Sequence, residues 1–508
     1  MKNYFFLILL CLCFSSMAQT PDQISLYRTD TKDISGKNTV SITSYEKNGA
    51  HYVYAGGFED IDVFRLDAQG KLTHIEKQEQ YKKKGPARGM VADNIKGTDF
   101  LFVANKLGDA IEVYKILDDG ALESVFIIHD TEETHIGIGI TLQVIHMKND
   151  AYLFAGGLEE TPGLSCFKIH TDGQLSHVQS MKDTEEIHTD GIIGMFVHQI
   201  KGKTYLFTGG FQDNGISGFQ VFENGHFKHV NSISDNTTDR YLTGTYPVTG
   251  ASFGDQHYLI VGHRHHQYYK RKGFIKNTDF VYHGDAVSIF KINKKGELAP
   301  HSIFKDNENT KLQGQTRIEV VSVNQQEAII AVGTRDDAAI QLCRLDGQGQ
   351  LSAITYLETG FPVYYGLNAL EIEGTSFLIA GSFDFGTRKI AAYRIGPTTP
   401  EMQGSSLKQI IHLKFKKEAD PNRIQEALAE FAHQQEAIPQ IRELQWGKNS
   451  STEGLDKGFE YCFSLSFEDV HAREIYQFHK VHLAAMRKIS PLLEDQLVMD
   501  YWVQGKIQ

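Results

Sequence analysis

The sequence predicts a multidomain chain, an all-β seven-bladed propeller followed by a smaller α+β domain of the ferredoxin-like plan. Three observations carry that prediction. A unit of four strands and about 50 residues recurs seven times, no helical periodicity falls between the copies, and after residue 405 the pattern changes to strands alternating with two helical stretches. The composition agrees, since 46 Gly, 31 Phe and 22 Tyr stand beside only 11 Pro and 2 Trp, as in a repeating β structure with many tight turns. With 41% apolar and 22% charged residues the chain is globular, and its net charge of −12 argues against a nucleic-acid backbone or an anionic membrane as the main partner.

Residues 1–18 read as a secretory signal peptide: Lys2, an apolar run from Tyr4 to Phe14, then Ser16-Met17-Ala18 before the cleavage point. That run is too short to span a bilayer, and no later stretch approaches 18 apolar residues. The expectation is an exported protein, periplasmic or secreted, with no membrane span. Beyond the leader only Cys166, Cys343 and Cys462 remain, too few for a disulfide scaffold, so buried free thiols are expected.

Each repeat, expected over residues 22–396, has an apolar strand ending in small residues, an aromatic-bearing strand, a turn and a further strand. The small residue closing the first of these falls at Gly56, Ala104, Gly156, Gly209, Gly262, Gly333 and Gly381, at spacings of 48, 52, 53, 53, 71 and 48. Asp-Gly, Asn-Gly and Lys-Gly turns supply the positive φ of tight hairpins, so the units are antiparallel meanders. Another apolar stretch before each copy completes four strands. The last unit lacks a strand after Ile395, whereas Ile24 to Arg28 is a spare one, and the two together close a ring. The repeats resemble the lactonase-type propeller family over about residues 22–400, in the order of apolar strand, aromatic strand and Asp-Gly-x-Leu turn. Kelch repeats come second, because the tryptophan expected late in each kelch blade is absent.

In a propeller the loops between blades share one face with the loops joining second and third strands, around the mouth of the central channel, and ligands bind there. Counting back 16 residues from each small residue gives Val40, Arg88, Ile140, Ile193, Tyr246, Arg317 and Tyr365. Counting back 21 gives His135 and His188, in the matching segments Asp130 to His135 and Asp183 to His188. One residue earlier, the next two blades place Arg240 and Lys311. The expected ligand-binding set is Arg88, His135, His188, Arg240, Tyr246, Arg317 and Tyr365, a basic, aromatic mouth for a small anionic or carbohydrate-derived ligand, with arginines as bidentate anchors and histidines as acid or base. The plainer alternative is that these side chains pair with Glu132, Glu185 and Asp239.

The 71-residue spacing marks an insertion over residues 263–283, which carries five Lys or Arg, four His and five aromatics against one Asp. His263 and His265 join the ligand-binding set as part of a lid, the alternative being a solvated hairpin. With His266 they form a cluster without a carboxylate or cysteine framework, so no metal is expected, nor a cofactor.

Residues 397–405 are a linker by composition, and the second domain is expected over 406–504. There 407–416 alternates as a strand; Asp420-Pro421 is an N-cap with proline at the first helical position, and Ile424, Leu428 and Phe431 recur at helical spacing. Strands at 441–448 and 459–467, a helical stretch at 470–493 and a strand at 496–503 complete the order βαββαβ. This segment resembles the stress-responsive A/B barrel (Dabb) family. The residues carrying the resemblance are Ile411-His412 and Phe415, Ile438-Pro439 and Ile441, Trp446-Gly447 and Asn449, Gly458-Phe459, Phe467, Tyr476-x-x-His479-x-x-His482, and Asp500-Tyr501. The resemblance implies a dimeric A/B barrel and hence a homodimer. A few members use the interior cavity for chemistry, including cyclisation of a polyketide, and the resemblance then implies His412, Tyr476 and His482 as catalytic residues. The chain departs from the family at Lys480, where a proline usually follows the histidine, and at Tyr461, where the polyketide-cyclising members carry another histidine.

Three functions are consistent with these residues. The first is a propeller that binds a small anion while the Dabb domain dimerises it. The others are a lactonase-like hydrolase at the channel and a small-molecule enzyme centred on the Dabb cavity.

Overall fold

The computed structural model describes residues 24–503 apart from 35–40, 81–85, 106–107, 138, 140, 159–161, 235–241, 243, 265–283, 383–388, 398–405 and 469, together with the side chains of Tyr365, Pro397, His471 and Glu474. The signal-peptide expectation, Arg240 and His265 fall outside the described residues. No helix among those described is long and apolar enough to cross a membrane.

Seven four-stranded antiparallel sheets succeed one another along the chain. Their innermost strands are Ser41–Lys47, Ala87–Ile95, Thr141–His146, Ile192–Ile200, Thr245–Phe253, Gln315–Val323 and Val363–Ile372. Each innermost strand touches the next, and the seventh touches the first, so the sheets close into a seven-bladed propeller. The closing strand is the spare one: Ile24–Asp33 pairs antiparallel with Lys389–Pro397, Leu26 opposite Ile395, and becomes the outermost strand of blade seven.

The surplus of aromatics and glycines has one cause. The second strand of a blade carries a ring that packs on the turn glycine of the next blade. Tyr52 lies against Gly120, Phe100 against Gly173, Tyr152 against Gly225, Tyr205 against Gly296 and Tyr258 against Gly349. At Gly120 the backbone has φ +85°, and a Cβ would fall 2.1 Å from the Tyr52 ring, so two separate requirements exclude any other residue. The tyrosine hydroxyls finish the clasp by donating to turn carbonyls, Tyr152 to Glu223 at 3.1 Å and Tyr258 to Gly347 at 3.1 Å. The cores lie between blades, where the second and third strands are almost wholly buried. Cys166 and Cys343 are buried unpaired thiols within them.

The C-terminal sheet has the order Glu443–Lys448, Tyr461–Phe467, Leu407–Phe415, Leu493–Trp502, with all neighbours antiparallel. One face is covered by α1 (Pro421–Ala432), α2 (Gln434–Ala437), α3 (Val470–Phe478) and α4 (Lys480–Ile489). Asp420 caps α1, accepting from Asn422 N at 2.9 Å. The predicted single helical stretch at 470–493 is corrected to two helices and a short 3₁₀ turn. At the break His479 is extended, with φ −62° and ψ 136°, and its own ring caps α4 by accepting from Val481 N. The helical face of this domain rests on the propeller: α3 touches Ile24–Asp33 and Leu351–Glu358, and Ile475 joins Leu26, Leu357 and Phe361 in one buried cluster.

Candidate functional site

At the channel mouth the level of each side chain is set by how its inner strand pairs. Ala87, Ile192, Thr245, Gln315 and Val363 occupy equivalent places, opposite Asn105, Gly210, His263, Thr334 and Ser382. The residues that follow them, Arg88, Ile193, Tyr246, Thr316 and Tyr364, therefore share one level. Counting back 16 succeeds in blades two, four and five. It stops one residue short in blade six, where the strand has a further bulge between Val320 and Ser322, and in blade seven, where two extra residues lie between Val363 and Leu367. Arg317 is thereby corrected to Thr316, and in blade seven the residue at this level is Tyr364, the Tyr365 side chain lying outside the described residues. Arg317 instead pairs with Glu319 (Nε to Oε1 2.7 Å), whose carboxylate also accepts from the Ala369 N–H of blade seven.

Tyr364 is the centre of the cluster that results. The guanidinium carbons of Arg264, Arg335 and Arg88 stand 4.6, 5.8 and 5.9 Å from its ring centroid. Arg264 also donates to the Tyr246 hydroxyl at 3.2 Å, and the Tyr246 and Tyr364 rings are 6.4 Å apart. On the other side, Leu158, Ile193 and Phe211 form an apolar ledge against Tyr246. Sequence reasoning missed Arg264 and Arg335, yet a signal was present. Each lies two residues beyond the small residue of its blade, Gly262 or Gly333, and the same offset in blades three and four reaches Leu158 and Phe211. The mouth is thus divided into a basic sector on blades two, five and six and an apolar sector on blades three and four.

The predicted histidines are not brought to this cluster. His135 lies against Gly163 and His188 against Gly215, each glycine heading the third strand of its blade. Their backbone N–H groups donate to Ser165 Oγ (2.8 Å) and Ser217 Oγ (3.0 Å). The matching acidic segments have a structural cause. Asp130 accepts from Thr134 Oγ1 and Ile136 N, Asp183 from Thr189 N, and Asp306 likewise from Thr310 Oγ1 and Leu312 N, so each aspartate folds its connecting loop. Burial lowers the pKa of both His135 and His188, partly offset by Asp130 and Asp183 respectively. His263 is corrected from lid to core, being fully buried with Nε2 3.0 Å from Ser288 Oγ. Among the described residues no group of three His, Cys, Asp or Glu stands ready for a metal.

In the C-terminal domain a cavity of about 110 Å³ lies between sheet and helices, lined in part by Gln409, Phe431, Gln477, His482 and Gln496. The Tyr476 and His482 rings are 4.3 Å apart. His482 Nδ1 is 3.0 Å from Gln434 Oε1, an atom that only accepts, so Nδ1 carries the proton and Nε2 keeps its lone pair. Burial lowers the His482 pKa to about 4, with a smaller contribution from His479, while burial and Asp500 raise that of Tyr476. The Tyr476 hydroxyl is buried with no hydrogen-bond partner among the described residues. A neutral imidazole beside an unionised phenol can exchange a proton with a bound molecule.

His412 is corrected out of this site. Burial alternates along Leu407–Phe415, so Leu407, Gln409, Ile411 and Leu413 face the helices, and His412 faces the opposite side of the sheet. There it lines an open groove of about 700 Å³ with Gln445, Phe459 and Leu497. The strand residue that lines the cavity beside His482 is Gln409, whose amide donates to Asp500.

Residues 407–503 match the Stress responsive A/B Barrel Domain family. The chain is similar to the stress-response A/B barrel domain-containing protein HS1 of Arabidopsis thaliana, 28% identical over 95 residues, which are 19% of this chain and 87% of that protein. It is also similar to olivetolic acid cyclase of Cannabis sativa, 25% identical over 96 residues, 19% of this chain and 95% of that enzyme. The solved structure of a putative 6-phosphogluconolactonase from Bacteroides uniformis aligns over 65% of this chain and 95% of its own, with 14% identity and a TM-score of 0.45.

Proposed function

The chain carries a stress-responsive A/B barrel domain behind a seven-bladed propeller, and we propose that it is an exported protein whose propeller mouth binds a small organic anion and whose barrel domain pairs two copies. The observation that carries the ligand reading is the convergence of Arg88, Arg264 and Arg335 on the one ring of Tyr364. Three guanidinium groups around one tyrosine, that of Arg335 also 3.8 Å from Asp336 Oδ1, offer a small anion several charge-assisted hydrogen bonds at one place. Sugar acids fit the basic sector, and the apolar ledge accommodates a carbon skeleton. A hydrolase at this mouth has less support, because His135 and His188 lie elsewhere. Export rests on the leader pattern of residues 1–18.

The test is thermal unfolding of the full chain with gluconate, citrate and benzoate as probes, repeated with Arg264→Ala and Arg335→Ala. Ligand binding raises the apparent stability, and loss of one charged contact is expected to weaken binding roughly 10- to 100-fold. No stabilisation by any anion, or equal stabilisation of the variants, rejects the reading.

The C-terminal domain favours a second activity on one observation: the buried Tyr476 hydroxyl, without a hydrogen-bond partner among the described residues, stands beside the neutral His482 that lines the cavity. In that reading His482 Nε2 accepts a proton and Tyr476 donates one to a small substrate. Tyr476→Phe would abolish turnover while leaving the fold intact, and unchanged turnover would exclude the role.

A further inference from the structure

Tyr476 lies in the last turn of α3 and His482 in the first turn of α4. In an unbroken helix, residues six apart are separated by about 9 Å along the axis and point about 120° away from each other. Their rings are instead 4.3 Å apart, so the pair exists only because the chain breaks at His479. Inside the barrel domain the His479 ring caps α4 at the break, and the propeller packs against the same segment from outside. The residues flanking Tyr476 on the other face, Ile475 and Phe478, both pack on the propeller. Ile475 is buried with Leu26, Leu357 and Phe361. The Phe478 ring has the Arg28 guanidinium 3.5 Å from its centroid, and Arg28 also donates to Thr359 O at 3.2 Å. Beneath the ring is Gly360, at φ +76°, where a Cβ would come within 2.0 Å of Phe478 Cδ1. The first residue of the break, His479, has Glu358 and Lys311 of blade six in its electrostatic surroundings.

We propose that the propeller completes the C-terminal cavity: Arg28 and Gly360, acting through Phe478, are positioning residues for the Tyr476–His482 pair. Neither touches the cavity. Both fix the end of α3, and with it the angle at which α4 returns His482 to Tyr476. The two modules then work as one unit, and a barrel domain without its propeller has Ile475 and Phe478 uncovered and only the His479 cap at its helix break.

The inference rests on Tyr476 and His482 being the working pair, yet it is tested on their geometry with no substrate present, so idle chemistry in the cavity leaves its outcome intact. Full-length protein labelled at histidine is compared with Arg28→Ala, Phe478→Ala and the conservative Phe478→Tyr, and the His482 signal is assigned through His482→Gln. In the parent and in Phe478→Tyr the Tyr476 ring current is expected to displace the His482 resonance. In Arg28→Ala and Phe478→Ala that displacement collapses and amide exchange over 470–489 accelerates, while the signals of His198 and His257 report an intact propeller. An unmoved His482 resonance in Arg28→Ala overturns the proposal, whether or not exchange changes, because docking would then be independent of the pair. Should Phe478→Ala fail to fold, Arg28→Ala decides alone.

Discussion

The roles of single residues follow from what surrounds them more than from their chemistry. Arg88, Arg264 and Arg335 matter because they share one tyrosine, whereas Arg317, of the same type and one residue off that level, belongs to Glu319. His482 shows the same dependence on setting. Burial holds its pKa near 4, below the ordinary value of 6.5, because the charged ring would lose its hydration. The unfolded chain therefore binds a proton at this site below about pH 6.5 and the folded chain does not until about pH 4. The stability this site contributes is full above pH 6.5 and is lost progressively as the pH falls to 4. The loss is on the order of 3 kcal/mol at most. Urea unfolding at pH 7 and pH 4.5 would show the parent losing more stability on acidification than His482→Gln, and equal losses would mean that the ring is hydrated in the folded state.

At the scale of elements, the strand Ile24–Asp33 has a disproportionate effect. It completes the sheet of blade seven, buries Leu26 and carries Arg28 to the domain interface. Removing residues 1–33 exposes the edge of Lys389–Pro397 and uncovers the core around Tyr393 and Ile395. Such a truncation is expected to lower the melting temperature by about 5 °C, as a loss of several kcal/mol does in a domain of this size. Circular dichroism on heating checks it, and an unchanged melt would show that the ring closes without the strand. The inner strands teach a different lesson. Their pattern was legible as apolar runs before each small residue, but the bulges that put Thr316 and Tyr364 at the level of Arg88 and Tyr246 left no mark in the spacing. A bulge is a choice of hydrogen-bonding register made against a neighbouring strand.

On the scale of the whole molecule, the barrel domain leaves one face of its sheet uncovered among the described residues. On the helical side α3 rests on the propeller, while the opposite sheet face presents Leu497, Met499 and Tyr501, each more than 40% exposed, beside His412. Pairing two such faces buries them from water, and light scattering of the full chain is expected to give twice the mass of 57.2 kDa. Met499→Lys places a charge on that face and should yield monomers, whereas a parent that is already monomeric would exclude this interface. The recurrence of a 50-residue unit, its glycine turns, the spare N-terminal strand and the βαββαβ order were all readable from the amino-acid sequence alone. Each depends on local periodicity or on residues whose backbone preferences are intrinsic. The alternation read over 407–416 already puts His412 on the face opposite Ile411 and Leu413. The tertiary structure alone decided which arginines meet at Tyr364 and that the helix carrying Tyr476 breaks against the propeller, because those outcomes are set by register and by contact between domains, where the decisive partner is remote in the sequence.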